Sequence, residues 1–336
     1  MATSVTPSPQ LSYGFGGRLS TTFPSQVVAD TTEICNLACV HCSHPEFKKS
    51  EHYAARLLQP DLNRKMVDEV REFGRGITQY IRYSGNGEPL LNRHIFDMLG
   101  YAVSASGTTI TLTTNGTLLD DARTARLLET GVHLVDISLD AFRPETYARI
   151  RVNGDLSAVQ ANVRRLIQAA RQGSGTKVVV SFIEQPENSA EIPAFEKFWR
   201  EEGAHQVVVR RLHTNACSTT RLVSLLAKDT TTTTRRPCLY PWERILLVPS
   251  GHLAFCPQDW VHASVLGDYR LTTIRETWQG EAYAKLRAAH LSNDYSAHKF
   301  CGQCVDWATT RWPGQGLSYA DLVSGVKAPA PQVSGG

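Results

Sequence analysis

Eight cysteines carry most of the chemistry legible in this 336-residue chain. Three lie in the run Cys35-Asn-Leu-Ala-Cys39-Val-His-Cys42, four lie at Cys238, Cys256, Cys301 and Cys304, and Cys217 stands apart. Disulfides belong to exported chains, and this N-terminus has no basic region followed by an apolar core. Reduced thiolates at metal-ligand spacings are therefore the expectation. Spacers of three and then two residues bring three thiolates to one compact centre within a single loop. A four-iron cluster held by three cysteines keeps one iron without a protein ligand, and a chelating substrate can bind there. A tetrahedral zinc site completed by His41 or His44 fits the same spacing.

Other segments could serve such a centre. Ser84-Gly85-Asn86-Gly87-Glu88-Pro89 is a glycine-rich turn, which alone reads equally as an ordinary loop. Thr113-Thr114-Asn115-Gly116, then Ile137-Ser138-Leu139-Asp140-Ala141, then Glu145-Thr146-Tyr147 and Ile150-Arg151 follow in order. Each of the first three comes at the end of a short apolar run. The runs are Val27 to Asp30, Ile77 to Tyr83, Thr109 to Thr113, Leu134 to Ser138, Val178 to Phe182 and Val207 to Val209, and they read as buried strands. Helical spacing fills the intervals at Asp61 to Phe73, Ile95 to Ser104, Asp121 to Glu129, Pro144 to Arg149, Leu156 to Ala170 and Pro193 to Glu202. Six strand-helix units imply an α/β fold with a parallel sheet, closed into a partial (β/α)6 TIM-like barrel.

The expected organisation is a disordered segment at 1–27, the barrel at 28–215, a small module at 216–312 and a tail at 313–336. The module opens with the Thr-rich stretch Thr230 to Thr234, continues as a hairpin-like region from Ile245 to Cys256 and ends in a cysteine pair. Its apolar content is low, so a bound metal centre would help to hold it together. The chain has 42% hydrophobic residues and a formal charge of +3 from 35 basic and 32 acidic residues, with the signs interspersed. Neither a nucleic-acid footprint nor a membrane span is visible, and a cytoplasmic location is expected.

With its motifs in this order, the chain resembles the radical S-adenosylmethionine superfamily over residues 27–310. The resemblance implies that Cys35, Cys39 and Cys42 hold a 4Fe–4S cluster that cleaves S-adenosyl-L-methionine. Gly85, Gly87 and Glu88 would meet the methionine amino group, and Ser138 and Arg151 its carboxylate, with Arg149 as a competing choice. Asn115 and Asp140 fall in the family's other cofactor-binding segments. His41 stands where the family usually has an aromatic residue near the adenine. Cys238-x12-Gly251-x4-Cys256 with Cys301-Gly-Gln-Cys304 resembles the twitch domain, a shortened SPASM domain, which implies one auxiliary 4Fe–4S cluster. Leu266-Gly267-Asp268 and Ile274 to Trp278 resemble its connecting segment, while a structural zinc ribbon fits the four thiolates by spacing alone.

The resemblance implies a 5'-deoxyadenosyl radical, an external electron donor of flavodoxin or ferredoxin type, and hydrogen abstraction from substrate. Two outcomes stay open. An auxiliary cluster that accepts an electron yields dehydrogenation, as in 2-deoxy-scyllo-inosamine dehydrogenase of antibiotic biosynthesis. A thiol that donates hydrogen, with Cys217 the candidate, yields epimerisation, as in the neomycin-type epimerase; an inert buried thiol is the other reading of Cys217. Arg210, Arg211, His213 and Asn215, at a strand end, are candidate substrate contacts, or else a solvated loop. Peptide modification and a non-catalytic zinc module are further readings. The short N-terminal segment favours a small polar substrate such as an aminocyclitol or sugar.

Overall fold

The computed structural model describes residues 13–218, 222–223, 235–316 and 318–325. Six strands, β1 (Gln26–Asp30), β2 (Tyr80–Ser84), β3 (Thr109–Thr114), β4 (Leu134–Ser138), β5 (Lys177–Glu184) and β6 (Gln206–Arg211), pair in parallel in chain order. Between them lie α1 (His44–Phe47), α2 (Pro60–Phe73), α3 (Ile95–Ala105), α4 (Asp121–Glu129), α5 (Pro144–Ile150), α6 (Leu156–Arg171) and α7 (Ile192–Glu201). Proline opens α2, α5 and α7, where its missing N–H is no loss. Asp120 and Asp155 cap α4 and α6 by accepting first-turn amides.

Alternation along the strands makes the barrel. Val27, Ile81, Leu112, Val135 and Val180 point outward into one core with Met66, Leu99, Val163 and Trp199 of the helices. Each such burial contributes about 1.5–3 kcal/mol. The opposite positions, Val28, Arg82, Thr113, Asp136, Ser181 and Arg210, face the lumen. This is the parallel α/β partial barrel that the sequence pattern implies.

The hairpin continues the barrel's own sheet: β7 (Arg244–Leu247) pairs in parallel with β1, and β8 (His252–Ala254) and β9 (Val265–Asp268) follow antiparallel, giving one nine-stranded sheet. An open barrel exposes the β1 edge, and β7 covers it. Residues 13–27 are packed rather than disordered, with Leu19 and Phe23 buried, Trp278 Nε1 donating to Ser20 O at 3.1 Å and Arg18 paired with Glu243 at 3.0 Å. Two apolar anchors within a Ser/Thr/Gly-rich segment suffice, and composition averages them away. Helix Tyr319–Ser324 is no loose tail, since Ala320 and Val323 bury against Tyr80. The segments 1–12 and 326–336, and the Thr-rich stretch Thr230 to Thr234, lie outside the described residues. Finally, β2 begins at Tyr80 rather than Ile77, because the amides of Ile77 and Thr78 return to the Gly74 carbonyl at 2.9 and 2.7 Å.

Candidate active site

The chain leaves β1 through Glu33, a buried carboxylate that accepts the amides of Ala54 and Arg56 and the Arg56 guanidinium at 2.8–3.0 Å. The cysteine loop that follows is laced to the end of α5, with Ala38 N–H donating to Val152 O and Val40 N–H to Ile150 O, each at 3.0 Å. Cys35, Cys39 and Cys42 thereby line one wall of a cavity of about 460 Å³ at the carboxyl ends of the strands. Burial pushes the Cys35 thiol up to about 11 and Cys42 to about 12, and the neighbouring thiols add to the shift. Among the described residues, no three or more His, Cys, Asp or Glu side chains are grouped so as to hold a metal ion. The imidazoles point elsewhere: His41 Nε2 lies 3.4 Å from Asp140, and His44 Nε2 meets Glu33 O at 2.8 Å. Three thiols on one wall, with neither imidazole turned toward them, fit a cluster held by three cysteines with a face open to the cavity.

The remaining motifs converge on the same wall. Glu88 is buried; it accepts Thr114 Oγ1 at 2.6 Å and the amides of Leu90 and Asn115 at 3.1 and 2.8 Å, which locks the glycine-rich turn to the loop after β3. Burial holds its carboxyl above the ordinary range. Asn115 reaches back to Asn36 in the cysteine loop at 3.0 Å. The glycines serve close approach: a Cβ at Gly85 (φ +136°) would lie 1.9 Å from Asp30 Oδ1, and one at Gly87 2.4 Å from the carbonyls of Thr32 and Ile34. Ser138, Asp140 and Arg151 line the cavity, whereas Arg149 does not and donates to Thr146 Oγ1 at 3.4 Å. Arg151 grips Asp140 through Nε at 2.8 Å and turns Nη1 toward Cys39 Sγ at 3.6 Å. Asp140, in a left-handed conformation at φ 65°, also accepts Ile183 N–H at 2.7 Å.

Cys238, Cys256 and the Cys301–Cys304 pair come from three separate places yet surround one small cavity of about 30 Å³, walled by Tyr240, Phe255, Phe300 and Trp307. Burial pushes Cys238 to about 11 and Cys301 to about 12. A closed four-thiol donor set in an apolar shell fits an iron-sulfur centre that has no open position. Cys256, Tyr240 and Gln258 line both cavities and form their common wall.

Cys217 is not where a hydrogen donor to the cavity would stand. It does not line the cavity, and its thiol donates to Gln303 O at 3.2 Å beside Cys304. The reason is a turn in which Asn215, Ala216 and Cys217 are all left-handed, held by Asp306 accepting the amides of Thr214 and Ala216 at 2.8 Å. Of the neighbouring candidates, Arg210, His213 and Asn215 line the cavity, and Asn215 donates to His41 O at 3.0 Å; Arg211 is exposed and does not. Sequence reasoning missed Asp30, Arg82, Asp136 and Tyr319, all on the cavity wall. Charged residues inside strand runs were the available signal for the first three, and the Ser318-x-x-Asp321 capping box for the helix that carries the fourth.

A parallel partial barrel with an open three-thiol centre defines an enzyme class, and the family comparison agrees. Residues 30–191 match the Radical SAM superfamily and residues 238–305 an iron-sulfur cluster-binding domain, SPASM. Residues 30–191 are thus a radical SAM domain, which binds a 4Fe–4S cluster and S-adenosylmethionine, and residues 238–305 a SPASM domain, which binds auxiliary iron-sulfur. Among curated relatives, a probable GTP 3',8-cyclase of Methanococcus maripaludis is 31% identical over 173 residues, 52% of this chain and 54% of that protein. An Fe-coproporphyrin III synthase of Methanosarcina barkeri is 32% identical over 210 residues, 59% of this chain and 49% of that protein. The chain spans about half the length of the curated relatives it matches. Among solved structures, BtrN in complex with AdoMet and 2-DOIA has a TM-score of 0.60 at 14% identity, covering 87% of this chain and 96% of that one. Streptococcus suis SuiB bound to precursor peptide SuiA has a TM-score of 0.63 at 13% identity, covering 90% and 73%. These structural likenesses speak for the fold.

Proposed function

We propose that this protein is a cytoplasmic radical SAM dehydrogenase that oxidises a small polar, sugar- or aminocyclitol-like substrate. The observation that carries the reading is the common wall: Cys256 borders both the reaction cavity and the closed four-thiol cavity. Cys35, Cys39 and Cys42 would ligate the SAM-cleaving cluster, and Cys238, Cys256, Cys301 and Cys304 the auxiliary one. Bound there, the first cluster would supply the electron, drawn from a flavodoxin- or ferredoxin-type donor, that opens S-adenosylmethionine for removal of hydrogen from a substrate carbon, and the auxiliary cluster would supply the acceptor for the second electron, so that a carbinol that also gives up its hydroxyl proton leaves as a ketone.

The chain's own part is to bind and orient. Glu88, with Gly85 and Gly87, presents an acceptor surface for the methionine amino group, while Ser138 and Arg151 face its carboxylate. Asn115 and Asp140 hold these groups in register through Asn36 and Arg151. His41 closes the side beside Cys42. An epimerase that uses Cys217 gains no support from that thiol's hydrogen bond to Gln303. Anaerobic reconstitution should give about eight irons per chain and reductant-dependent 5'-deoxyadenosine. Screening sugars, aminocyclitols and peptides should then yield a product two hydrogens lighter from the first two groups. Stoichiometric zinc without cleavage would overturn the proposal, as would a peptide as sole substrate.

A further inference from the structure

Below the cofactor end of the cavity, the lumen is charged where barrels of this kind ordinarily pack Val, Ile and Leu. Arg82 of β2 and Arg210 of β6 converge on one carboxylate, Asp136 of β4: both reach Asp136 Oδ2, at 3.7 and 2.6 Å. The carboxylate is sealed, with a side-chain exposure of 1%, while the two arginine side chains keep 19% and 26%. The face presented to the cavity is thus cationic. Arg82 Nε donates to Thr113 Oγ1 at 3.0 Å and Arg210 Nε to Ser181 Oγ at 3.2 Å, which fixes both forks. Tyr319, from the C-terminal helix, lies 4.1 Å from the Arg82 guanidinium and 5.4 Å from that of Arg210, backing the pair with a ring face.

One carboxylate cannot neutralise two guanidiniums. The other acids on the wall are committed elsewhere: Glu33 to Arg56, Asp140 to Arg151, Glu88 to Thr114 and the amides of Leu90 and Asn115, Asp259 to the amides of Val261 and Ser264, and Asp30 to the amide of Asn86. Charge kept in a lumen that apolar residues could fill more stably calls for a ligand. We propose that Arg82 and Arg210 form an anion subsite that grips a carboxylate or phosphate group of the substrate and so sets which of its C–H bonds lies beneath the cofactor. Planar guanidinium forks suit either group by paired hydrogen bonds. The inference rests on the radical-enzyme reading of this cavity and narrows its substrate to an anionic, hydroxylated molecule.

The test is calorimetry with acetate and with inorganic phosphate on the reconstituted, unreduced enzyme loaded with S-adenosylmethionine, which occupies the Arg151 end. Saturable binding at low ionic strength is expected, about tenfold weaker in Arg82→Gln and Arg210→Gln. Asp136→Asn, which removes the competing carboxylate, should bind severalfold tighter. Tighter phosphate than acetate identifies a phosphate ester, and the reverse a carboxylic acid. If neither anion binds the wild type, if the glutamine variants bind as well as it does, or if Asp136→Asn weakens binding, the subsite is refuted. Should the neutral variants fail to fold, Arg82→Lys and Arg210→Lys lose the fork and keep the charge; a few-fold weaker phosphate binding supports the subsite, and unchanged affinity refutes it. Reductive S-adenosylmethionine cleavage by the wild type separates the two readings. Cleavage without anion binding sinks the subsite alone, and anion binding without cleavage sinks the radical assignment alone.

Discussion

Cys35, Cys39 and Cys42 come from a single loop after β1 and face a cavity of about 460 Å³, whereas Cys238, Cys256, Cys301 and Cys304 are gathered from distant segments around about 30 Å³. Polar, charged groups surround the first set, and aromatic rings wall the second. The contrast shows how one ligand chemistry is put to two uses. Three local thiolates leave a coordination position and room beside it, so the centre can act on a ligand. Four thiolates that use up every position make a centre that can only hold and pass charge, and they tie together a region with little core of its own.

Single substitutions should pull the two centres apart. Cys39→Ala should abolish 5'-deoxyadenosine formation and leave about four irons, while Cys256→Ala should also leave about four irons yet keep cleavage, now uncoupled from substrate oxidation. Iron analysis with product chromatography reads both; equal loss of cleavage in the two variants would erase the distinction. Arg151→Met strands the buried Asp140 charge beside the first centre, so denaturant melts of the apoprotein should show a loss of about 3–5 kcal/mol. Comparable truncation of the exposed Arg270–Asp268 pair at the end of β9 should cost far less.

The first region also contains a carboxyl that burial shifts strongly. Burial raises Asp30 from 3.8 to about 8. The folded chain therefore holds this proton more tightly than the unfolded chain, and stability should fall as pH rises from about 4 to about 8. The contribution is roughly 3 kcal/mol, less than the full shift implies because the carboxyl borders the cavity. Asp30→Asn should flatten that stretch of the stability curve; an unchanged slope would locate the effect elsewhere. The smallest effect belongs to Cys217→Ala, expected to keep turnover and to change stability by less than about 1 kcal/mol. Loss of turnover with solvent-deuterium exchange would restore the epimerase reading.

The sequence was most legible where its determinants are local. The cysteine loop, the glycine-rich turn and the Ser138 to Arg151 segment each declare themselves within a few residues, and the short apolar runs place all six barrel strands. Legibility failed where a residue's role depends on partners far along the chain. Arg82 and Asp136 look like interruptions of apolar strands until barrel closure sets them opposite Arg210. Residues 13–27 and 318–325 have the composition of loose ends, yet Phe23 and Ala320 find fixed neighbours. Cys217 was chosen for being unassigned, and the left-handed turn that carries it to Gln303 leaves no mark in a one-dimensional pattern.

The pairing of β7 with β1 bears on the order of assembly. As the chain leaves the ribosome, β1 finds β2 early, but its other edge waits for Ile245 and Leu246, which come after the entire barrel. So distant a contact is slow to form. Throughout that interval the loop with Cys35, Cys39 and Cys42 stands beside an uncovered edge, and the wall that carries Cys256 has yet to arrive. Completing the sheet is what encloses the loop that carries the first three thiols.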